Sequence, residues 1–264
     1  LYRFLLKATA EHPDDRFQSA DEMADQLLGV LREVVAIETG QPRPSASTLF
    51  SGDMLALTAG NDLDSLTVDY HYLPVPTLDS KDPAFNALLN ATAIADAKQR
   101  SEAIKLIREQ QPKSAEASLR LAEASIELHQ FPKVDSILSE LEKNDPWDWR
   151  VPWYQGRSLL AQKKGREAKQ AFDRVYFDLP GELAPKLALG LAAEQAKDYA
   201  LAIQMYVLVL ATDPSYVTAA FGLARCRSAL NDRTAAVAAL EQVPPTSSLF
   251  TRSQVELARI LVDR

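Results

Sequence analysis

Residues 180–214 read PGELAPKLALGLAAEQAKDYALAIQMYVLVLATDP, a stretch that begins and ends on a proline. Pro146 and Pro112 precede Pro180 at the same interval that separates Pro180 from Pro214. Between these prolines, small or apolar residues recur at positions 34 apart. Four such columns are Ala122, Gly156, Gly190 and Ala224; Val134, Ala168, Ala202 and Ala236; Leu138, Phe172, Tyr206 and Leu240; and Leu141, Val175, Val209 and Val243. A fixed period of this length indicates one local structure repeated along the chain.

A 34-residue period closed by a proline is typical of the tetratricopeptide repeat, in which each unit is a pair of antiparallel helices. We predict a solenoid of such pairs over residues 112–264, with a mainly α fold for the whole chain. Gly156 and Gly190 are predicted to let the two helices of a unit approach closely, because glycine inside a helix costs about 1 kcal/mol relative to alanine. After Pro214 the next proline comes early, at Pro244, so the regular array is expected to be interrupted there.

The composition of the 264 residues favours a globular protein with a packed core, since 47% of them are hydrophobic. The formal net charge is −7, yet residues 112–264 carry 19 basic and 19 acidic side chains. This balance and the lack of a basic cluster predict no nucleic-acid partner. No apolar run reaches the ~18 residues that a membrane span needs. The single cysteine, Cys226, is expected to be a packing residue and fits a reducing compartment, so we predict a cytoplasmic protein.

The N-terminal segment, 1–40, is predicted to form two helices. Tyr2, Leu5 and Leu6 lie on one side of the first. Ser19 and Glu22 form a capping-box signature for the second. This second helix carries apolar residues every three or four positions and is expected to end at Gly40. The chain starts in mid-pattern and stops without a polar closing helix, so both ends are expected to be interrupted.

The same segment resembles the last helices of a protein-kinase C-lobe. The resemblance rests on Leu5-Leu6-Lys7-Ala8-Thr9, Pro13, Arg16-Phe17, Ala20-Asp21-Glu22-Met23 and Leu27. In such kinases the arginine matching Arg16 forms a structural ion pair with the glutamate of an A-P-E motif. That motif is absent here, and so are the glycine loop, H-R-D and D-F-G motifs. The plainer alternative is that Arg16 is an ordinary arginine at a helix end.

A kinase tail followed by tetratricopeptide repeats resembles the actinobacterial serine/threonine protein kinase G family. The stretches that carry this likeness are residues 180–189, 219–225 and 243–247, and it is weakest between about 52 and 111. Members carry a longer linker after the segment matching 45–51, so residues are expected to be unaccounted for between Ser51 and Gly52. Together with the period and the composition, the resemblance divides the chain into kinase-lobe helices (1–40), a linker (41–82), an atypical lead-in helix pair (83–111) and the repeats (112–264).

The resemblance implies a regulatory and scaffolding module of a larger kinase, with ATP and magnesium bound in a kinase domain outside this chain. It implies partners too: proteins or peptides, the kinase domain of the same polypeptide, a second copy in a homodimer, and a forkhead-associated-domain substrate. Family members regulate glutamate and 2-oxoglutarate metabolism through that substrate. The alternative is a free-standing tetratricopeptide adaptor that binds peptides without kinase activity. No catalytic, cofactor-binding or metal-ligating residues are predicted here, so we expect the chain alone to be inactive.

The linker differs in kind from its flanks, since prolines and aspartates dominate it. Four apolar residues alternate with polar ones, which predicts a strand: Leu66, Val68, Tyr70 and Tyr72. Because a lone strand needs a partner, we expect either a short hairpin or an extended segment that lies on the helices. A solvated acidic spacer is an equal alternative. Asp82-Pro83 then predicts a helix start, with the aspartate as N-cap, and helices are expected near 83–97 and 100–110.

The predicted partner-binding site lies on the first helices of the repeats, which line the concave surface of such arrays. Six residues are predicted to face this groove: Arg150, Trp153, Arg157, Glu194, Phe221 and Arg225. Guanidinium groups beside aromatic rings suit the carboxylates or phosphates of an extended peptide. In the alternative interpretation Trp153 and Phe221 belong to the solenoid core and the arginines form ordinary ion pairs. Arg16, Gly156 and Gly190 are assigned structural roles.

Overall fold

A computed structural model describes residues 1–52 and 68–262. Within these ranges the chain forms thirteen α-helices, two short 3₁₀ helices and no β-strand, which confirms the mainly α prediction. The α-helices are α1 (Tyr2–Ala8), α2 (Ala20–Thr39), α3 (Phe85–Thr92), α4 (Ala97–Gln110), α5 (Ala115–Glu127), α6 (Phe131–Asn144), α7 (Arg150–Ala161), α8 (Gly165–Asp178), α9 (Leu183–Gln195), α10 (Tyr199–Thr212), α11 (Val217–Ala229), α12 (Arg233–Leu240) and α13 (Phe250–Val262). None of the helices in the described ranges is long and apolar enough to cross a membrane.

Helices α5 to α12 form the predicted solenoid of antiparallel pairs. Within each unit the first helix packs on the second, and each second helix packs on the first helix of the next unit. The first helices also touch one another, α5 with α7 and α9 with α11, so they form the inner layer of the array. Trp153, Phe172 and Tyr206 are fully buried between the layers and are among the largest side chains of its core.

Two glycines sit where the helices of a unit come closest. A Cβ atom added at Gly156 would lie 2.5 Å from the ring of Phe172, and one added at Gly190 would lie 2.8 Å from the ring of Tyr206. Both distances are shorter than ordinary van der Waals contact. The missing side chain therefore makes room for an aromatic ring of the second helix.

The same turn closes the first helix of all four units. His129, Lys163, Lys197 and Asn231, which follow the period of the prolines, adopt left-handed backbone angles with φ between 55° and 62°. The amide that follows each of them donates to a carbonyl five residues back, as Gln130 does to Ser125 at 2.9 Å. This is the Schellman pattern, which satisfies carbonyls left open at a helix C-terminus. The periodicity of the sequence thus extends to the backbone of the turns.

The lead-in helices differ from the prediction at their start. Asp82 does not cap α3, which begins at Phe85 with Ala84 as its N-cap. Besides the amide of Ala84 at 2.8 Å, the carboxylate of Asp82 accepts hydrogen bonds from the Ser114 hydroxyl at 2.6 Å and from the amide of Glu116 at 3.1 Å. The aspartate therefore stabilises the N-terminus of α5, because amides of a first helical turn lack partners within the helix.

The predicted strand is wrong where the structure describes it. Residues Tyr70–Tyr72 form a 3₁₀ helix, and Leu66 lies outside the described residues. Tyr70 and Leu73, three positions apart, are both buried, which is the spacing of a 3₁₀ turn rather than of a strand. One isolated antiparallel bridge joins Phe50 to Pro76.

Helix α2 begins and ends as predicted, and both N-terminal helices lie on the outer layer of the solenoid. The Ser19 hydroxyl accepts the amide of Glu22 at 3.0 Å, and Gly40 ends α2 with φ at 63°. Helix α2 packs on α10 and α1 packs on α8. A Cβ atom on Gly29 would lie only 2.2 Å from the carbonyl oxygen of Gly181, so the two backbones are in direct contact.

Candidate partner-binding groove

We define the groove as the inner surface formed by α5, α7, α9 and α11, where the six candidate residues lie. The structure does not bring them together as one exposed surface. Trp153 and Phe221 have exposed fractions of only 0% and 2%, and both belong to the hydrophobic core. Helices that stack at van der Waals distance bury the aromatic residues of their facing sides, and neither ring is exposed in this structure.

Arg150 lies at the start of α7 and is held from two sides. Its Nη1 atom is 2.6 Å from Oε1 of Glu116, and its Nη2 atom is 2.8 Å from Oδ2 of Asp148. The nearby carboxylates favour the charged form and keep the pKa of Arg150 above its ordinary value, although burial acts in the opposite direction. Its donors are therefore directed to carboxylates of the array itself.

Arg157, one of the predicted residues, belongs to a buried ionic cluster between the first two units. Its Nη1 atom lies 2.6 Å from Oε1 of Glu123, whose Oε2 atom is 3.0 Å from Nη1 of Arg120. The hydroxyl of Tyr154 is 3.1 Å from the same Arg120 nitrogen. Burial alone would raise the pKa of the Glu123 carboxyl, but the guanidinium groups of Arg157 and Arg120 lower it to about 2. The cluster is therefore ionised at neutral pH.

Glu194 and Arg225 form a second cluster, in the last two units. Nε of Arg225 is 2.6 Å from Oε1 of Glu194, and the Tyr206 hydroxyl donates to Oε2 of the same carboxylate at 2.7 Å. Burial raises the pKa of Tyr206 well above its ordinary value, so the phenol stays protonated and keeps donating. These two of the six predicted residues are thus partners of each other.

Part of the linker lies in the groove. We call residues 47–52 and 68–79 the inner segment. Its two halves pair with each other: the amide of Ser51 donates to the carbonyl of Val75 at 2.9 Å, and the amide of Thr77 donates to that of Leu49 at 2.9 Å. The Thr77 hydroxyl adds a third bond, to the carbonyl of Thr48 at 2.9 Å. The two halves therefore form one paired unit.

The inner segment contacts the groove through side chains and through its backbone. The Phe50 ring lies 5.0 Å from that of Trp149 and 4.8 Å from that of Trp153, measured between centroids. Nη2 of Arg120 donates to the carbonyl of Pro76 at 2.5 Å, and Glu116 accepts the amide of Asp79 at 3.2 Å. The chain's own linker thus occupies the part of the groove that was predicted for a partner.

A second region joins α1 and α2 to the outer layer. Lys186 has an exposed fraction of 0%, and its Nζ atom lies 2.5 Å from Oε1 of Glu33 on α2. It also donates to the carbonyl oxygens of Pro180 and Glu182. Gln26 accepts the amide of Gly181 at 2.7 Å. A fully buried ammonium group is costly unless it is paired, so this junction depends on α2 staying in place.

Arg16, the residue with a predicted structural role, lines a cleft of about 760 Å³ between α1 and α8. It is exposed and donates to the carbonyls of Ala10 at 2.7 Å and Glu11 at 3.0 Å, just after α1 ends. Asp178 lines the same cleft. Burial raises the pKa of its carboxyl to about 6, although the cations of Lys7 and Arg174 oppose the shift.

The sequence contains a signal for the ion pairs between the first two units. Glu116 and Arg150 are 34 positions apart, and so are Glu123 and Arg157. Equivalent positions of neighbouring units face each other in a solenoid, so opposite charges at this spacing predict ion pairs between units. No comparable signal marks Phe50, because its contacts join segments about 100 residues apart.

Known proteins place these observations in context. Residues 59–264 match the family described as protein kinase G tetratricopeptide repeat. The chain is 35% identical over 284 residues to the serine/threonine-protein kinase PknG of Mycolicibacterium smegmatis, with 99% of this chain and 37% of that protein covered. It is 35% identical over 285 residues to the kinase of the same name from Mycobacterium leprae, with 98% and 37% covered. The chain thus spans little more than a third of these curated relatives.

Solved structures agree on the fold. A thermophilic TPR protein of Thermus thermophilus superposes with a TM-score of 0.56 at 14% identity, over 67% of this chain and 97% of that one. Yeast Tom70 gives a TM-score of 0.54 at 15% identity, over 67% of this chain and 38% of that one. At this level of identity the likeness concerns the helical array alone.

Proposed function

We propose, because this chain belongs to the protein kinase G tetratricopeptide repeat family, that it is the protein-interaction and regulatory module of a bacterial serine/threonine protein kinase. Tetratricopeptide arrays present surfaces to other proteins, and the curated relatives are kinases nearly three times as long as this chain. The kinase domain of the same polypeptide would then be the first partner of the module.

The observation that carries the proposal is an apolar face on α1 and α2. These helices are fixed to the repeats through Lys186 and Gly29, yet they leave large apolar side chains in solvent. The exposed residues are Leu1, Tyr2, Leu5, Leu6, Met23, Leu27, Leu28, Leu31 and Ile37, with exposed fractions from 39% to 74%. Met23, Leu27 and Leu31 follow one another at four-residue intervals and therefore share one face of α2. Large apolar side chains exposed on one face are typical of a protein–protein contact. The resemblance of residues 1–40 to kinase C-lobe helices makes the rest of that lobe its natural partner.

Further parts of the proposal rest on family resemblance. The whole protein would bind ATP and magnesium in the kinase domain and act in the cytoplasm on glutamate and 2-oxoglutarate metabolism. Its substrate would be a forkhead-associated-domain protein, and the repeats would bring two copies together as a homodimer. Reading the gene upstream of Leu1 tests the first of these points, since H-R-D and D-F-G motifs are expected there.

A binding measurement tests the contact itself. The fluorescently labelled chain is titrated with the kinase domain encoded upstream in the same gene. Replacing Leu27 and Leu31 together by aspartate places two charges on the exposed face of α2, so we expect binding at least tenfold weaker, which corresponds to about 1.4 kcal/mol. Val207→Asp is the matched control, because Val207 is an exposed apolar residue on α10, a second helix of the array.

The two possible outcomes of this titration distinguish the module proposal from its failure. A loss of binding in the Leu27/Leu31 variant with normal binding by Val207→Asp supports the module proposal. Equal affinity for wild type and both variants would show that α2 does not contact the kinase domain.

A further inference from the structure

The groove offers more to a ligand than the inner segment takes. Three buried donors in its walls have no hydrogen-bond partner among the residues that the structure describes: Nε of Arg120, Nε1 of Trp153 and Nε of Arg157. All three side chains are more than nine-tenths buried. An unsatisfied buried donor costs about 1–3 kcal/mol. The inner segment therefore leaves three donors of the groove walls without a hydrogen-bond acceptor.

The inner segment is attached both to itself and to the groove. Hydrogen bonds at Ser51, Val75 and Thr77 join its two halves to each other. The carbonyl of Pro76 and the amide of Asp79 bond to the groove side chains Arg120 and Glu116. Most of the remaining attachment is apolar, through Phe50, Tyr70 and Leu73, whose exposed fractions are 6% or less. Because its two halves pair with each other, the inner segment would keep its own backbone hydrogen bonds if it moved away from the helices as one unit.

We propose that the groove is a peptide-binding site loaded in cis by the inner segment, and that a partner peptide binds by exchange with it. This inference deepens the proposed function, since it names the surface and the ligand class of a protein-interaction module. The ligand is an extended peptide with an aromatic anchor for the space that Phe50 fills. Its backbone carbonyls would accept from Nε1 of Trp153 and Nε of Arg157, whereas Nε of Arg120 already lies 3.6 Å from Oε2 of Glu116. The wall charges of Arg120, Arg150 and Arg157 are balanced by Glu116, Glu123 and Asp148. Shape and hydrogen bonding, rather than net charge, select this ligand.

The exchange is tested on the full chain with a labelled synthetic peptide of residues 43–52, RPSASTLFSG, which carries the Phe50 anchor, and with a scrambled peptide as control. In the variant Phe50→Ser with Leu73→Ser the inner segment loses two of its apolar anchors, while every wall residue is kept. Because the resident segment no longer competes, we expect this variant to bind the peptide at least about tenfold more tightly than wild type. Val207→Ser, an exposed change on the outer layer, is expected to behave as wild type.

Two results overturn the proposal: equal affinity in wild type and in the Phe50/Leu73 variant, or no binding above the scrambled peptide. Hydrogen exchange of the wild-type chain gives a second readout that needs no variant. The amides of Ser51, Val75 and Thr77 are expected to exchange at least tenfold faster than the interior amides of α7. Exchange only together with α7 would show that the inner segment is a fixed part of the core. Both readouts are independent of the kinase-domain titration, so the two proposals fail separately.

Discussion

The contact of Gly29 with Gly181 provides a test in which two physical effects have opposite signs. Gly29→Ala should stabilise α2 by about 1 kcal/mol if helix propensity alone decides. The added Cβ, however, would lie 2.2 Å from a backbone carbonyl oxygen that cannot rotate away. An ordinary contact needs at least 3.4 Å, so α2 must move away by about 1 Å. A gap of that size forfeits a quarter to a half of the dispersion energy at the contact.

The displacement also reaches the polar partners of α2. The bond between Gln26 and the Gly181 amide and the ion pair between Glu33 and Lys186 both cross the interface that opens. Overpacking costs about 1–3 kcal/mol, and weakening the partner of a buried ammonium group adds to it. After subtraction of the propensity gain, we expect Gly29→Ala to destabilise the docking of α2 by about 1–3 kcal/mol.

Hydrogen exchange and thermal unfolding of the same samples measure the effect. The amides of α2 should lose protection by one to two orders of magnitude, while those of α7 change little. Gly52→Ala is the control, because a Cβ at Gly52 would have no neighbour within 4 Å in the part of the chain that the structure describes, and a null effect is expected. If Gly29→Ala proves as stable as wild type, or more so, with protection in α2 unchanged, the glycine contact does not limit the packing.

Three further predictions concern side chains inside the array. Asp178→Asn should raise the free energy of unfolding by about 1–3 kcal/mol at pH 7. The pKa of Asp178 is about 6 in the folded protein, above its unfolded value, so wild-type stability falls as pH rises through 6 and the uncharged asparagine avoids this loss. Denaturant titrations should show no gain below pH 4. Glu123→Gln should cost about 3–5 kcal/mol at neutral pH, because it leaves Arg157 without its counter-charge. Since the folded pKa of Glu123 is lowered to about 2, this difference should shrink as pH falls from 4.5 toward 2. Gly190→Leu should cost about 1–3 kcal/mol by forcing the Tyr206 ring aside, which a lower urea midpoint would reveal.

Each of these predictions has a contradicting result. A pH-independent gain from Asp178→Asn would mean that burial does not raise the pKa of this carboxyl. A Glu123→Gln protein as stable as wild type at pH 7 would show that the cluster contributes only specificity. An unchanged midpoint for Gly190→Leu would mean that the two helices of the unit separate at no cost.

The sequence predicted what depends on periodic or local patterns. The repeating columns defined the paired helices, and Ser19 and Gly40 marked the ends of α2. These signals work because each element records its own burial and capping in nearby residues. The alternation of apolar and polar residues around Tyr70 predicted a strand, but these residues form a 3₁₀ helix. Period-two spacing does not produce a strand when no second strand pairs with the segment. The buried pair was Tyr70 and Leu73, three positions apart.

The candidate site was harder to predict because its decisive contacts are distant in sequence. Arg157 and Arg225 were placed on the groove by their register in the repeat. Register alone could not show that carboxylates of neighbouring units already neutralise them. Nor could it show that Phe50 covers Trp153, since a segment without regular structure has no period from which to infer where it lies.

The four left-handed turns allow one substitution to be compared at four equivalent places in the same molecule. His129, Lys163, Lys197 and Asn231 repeat one backbone conformation with three side-chain chemistries. Asparagine tolerates this conformation better than most residues. Asparagine can be substituted at each of the other three positions in turn. Each substitution relieves the left-handed turn of one unit and is expected to raise the free energy of unfolding by about 0.5–1 kcal/mol. Unequal answers from identical substitutions would chart how tightly unfolding of one repeat is coupled to that of its neighbours, from the lead-in helices to the end of the array.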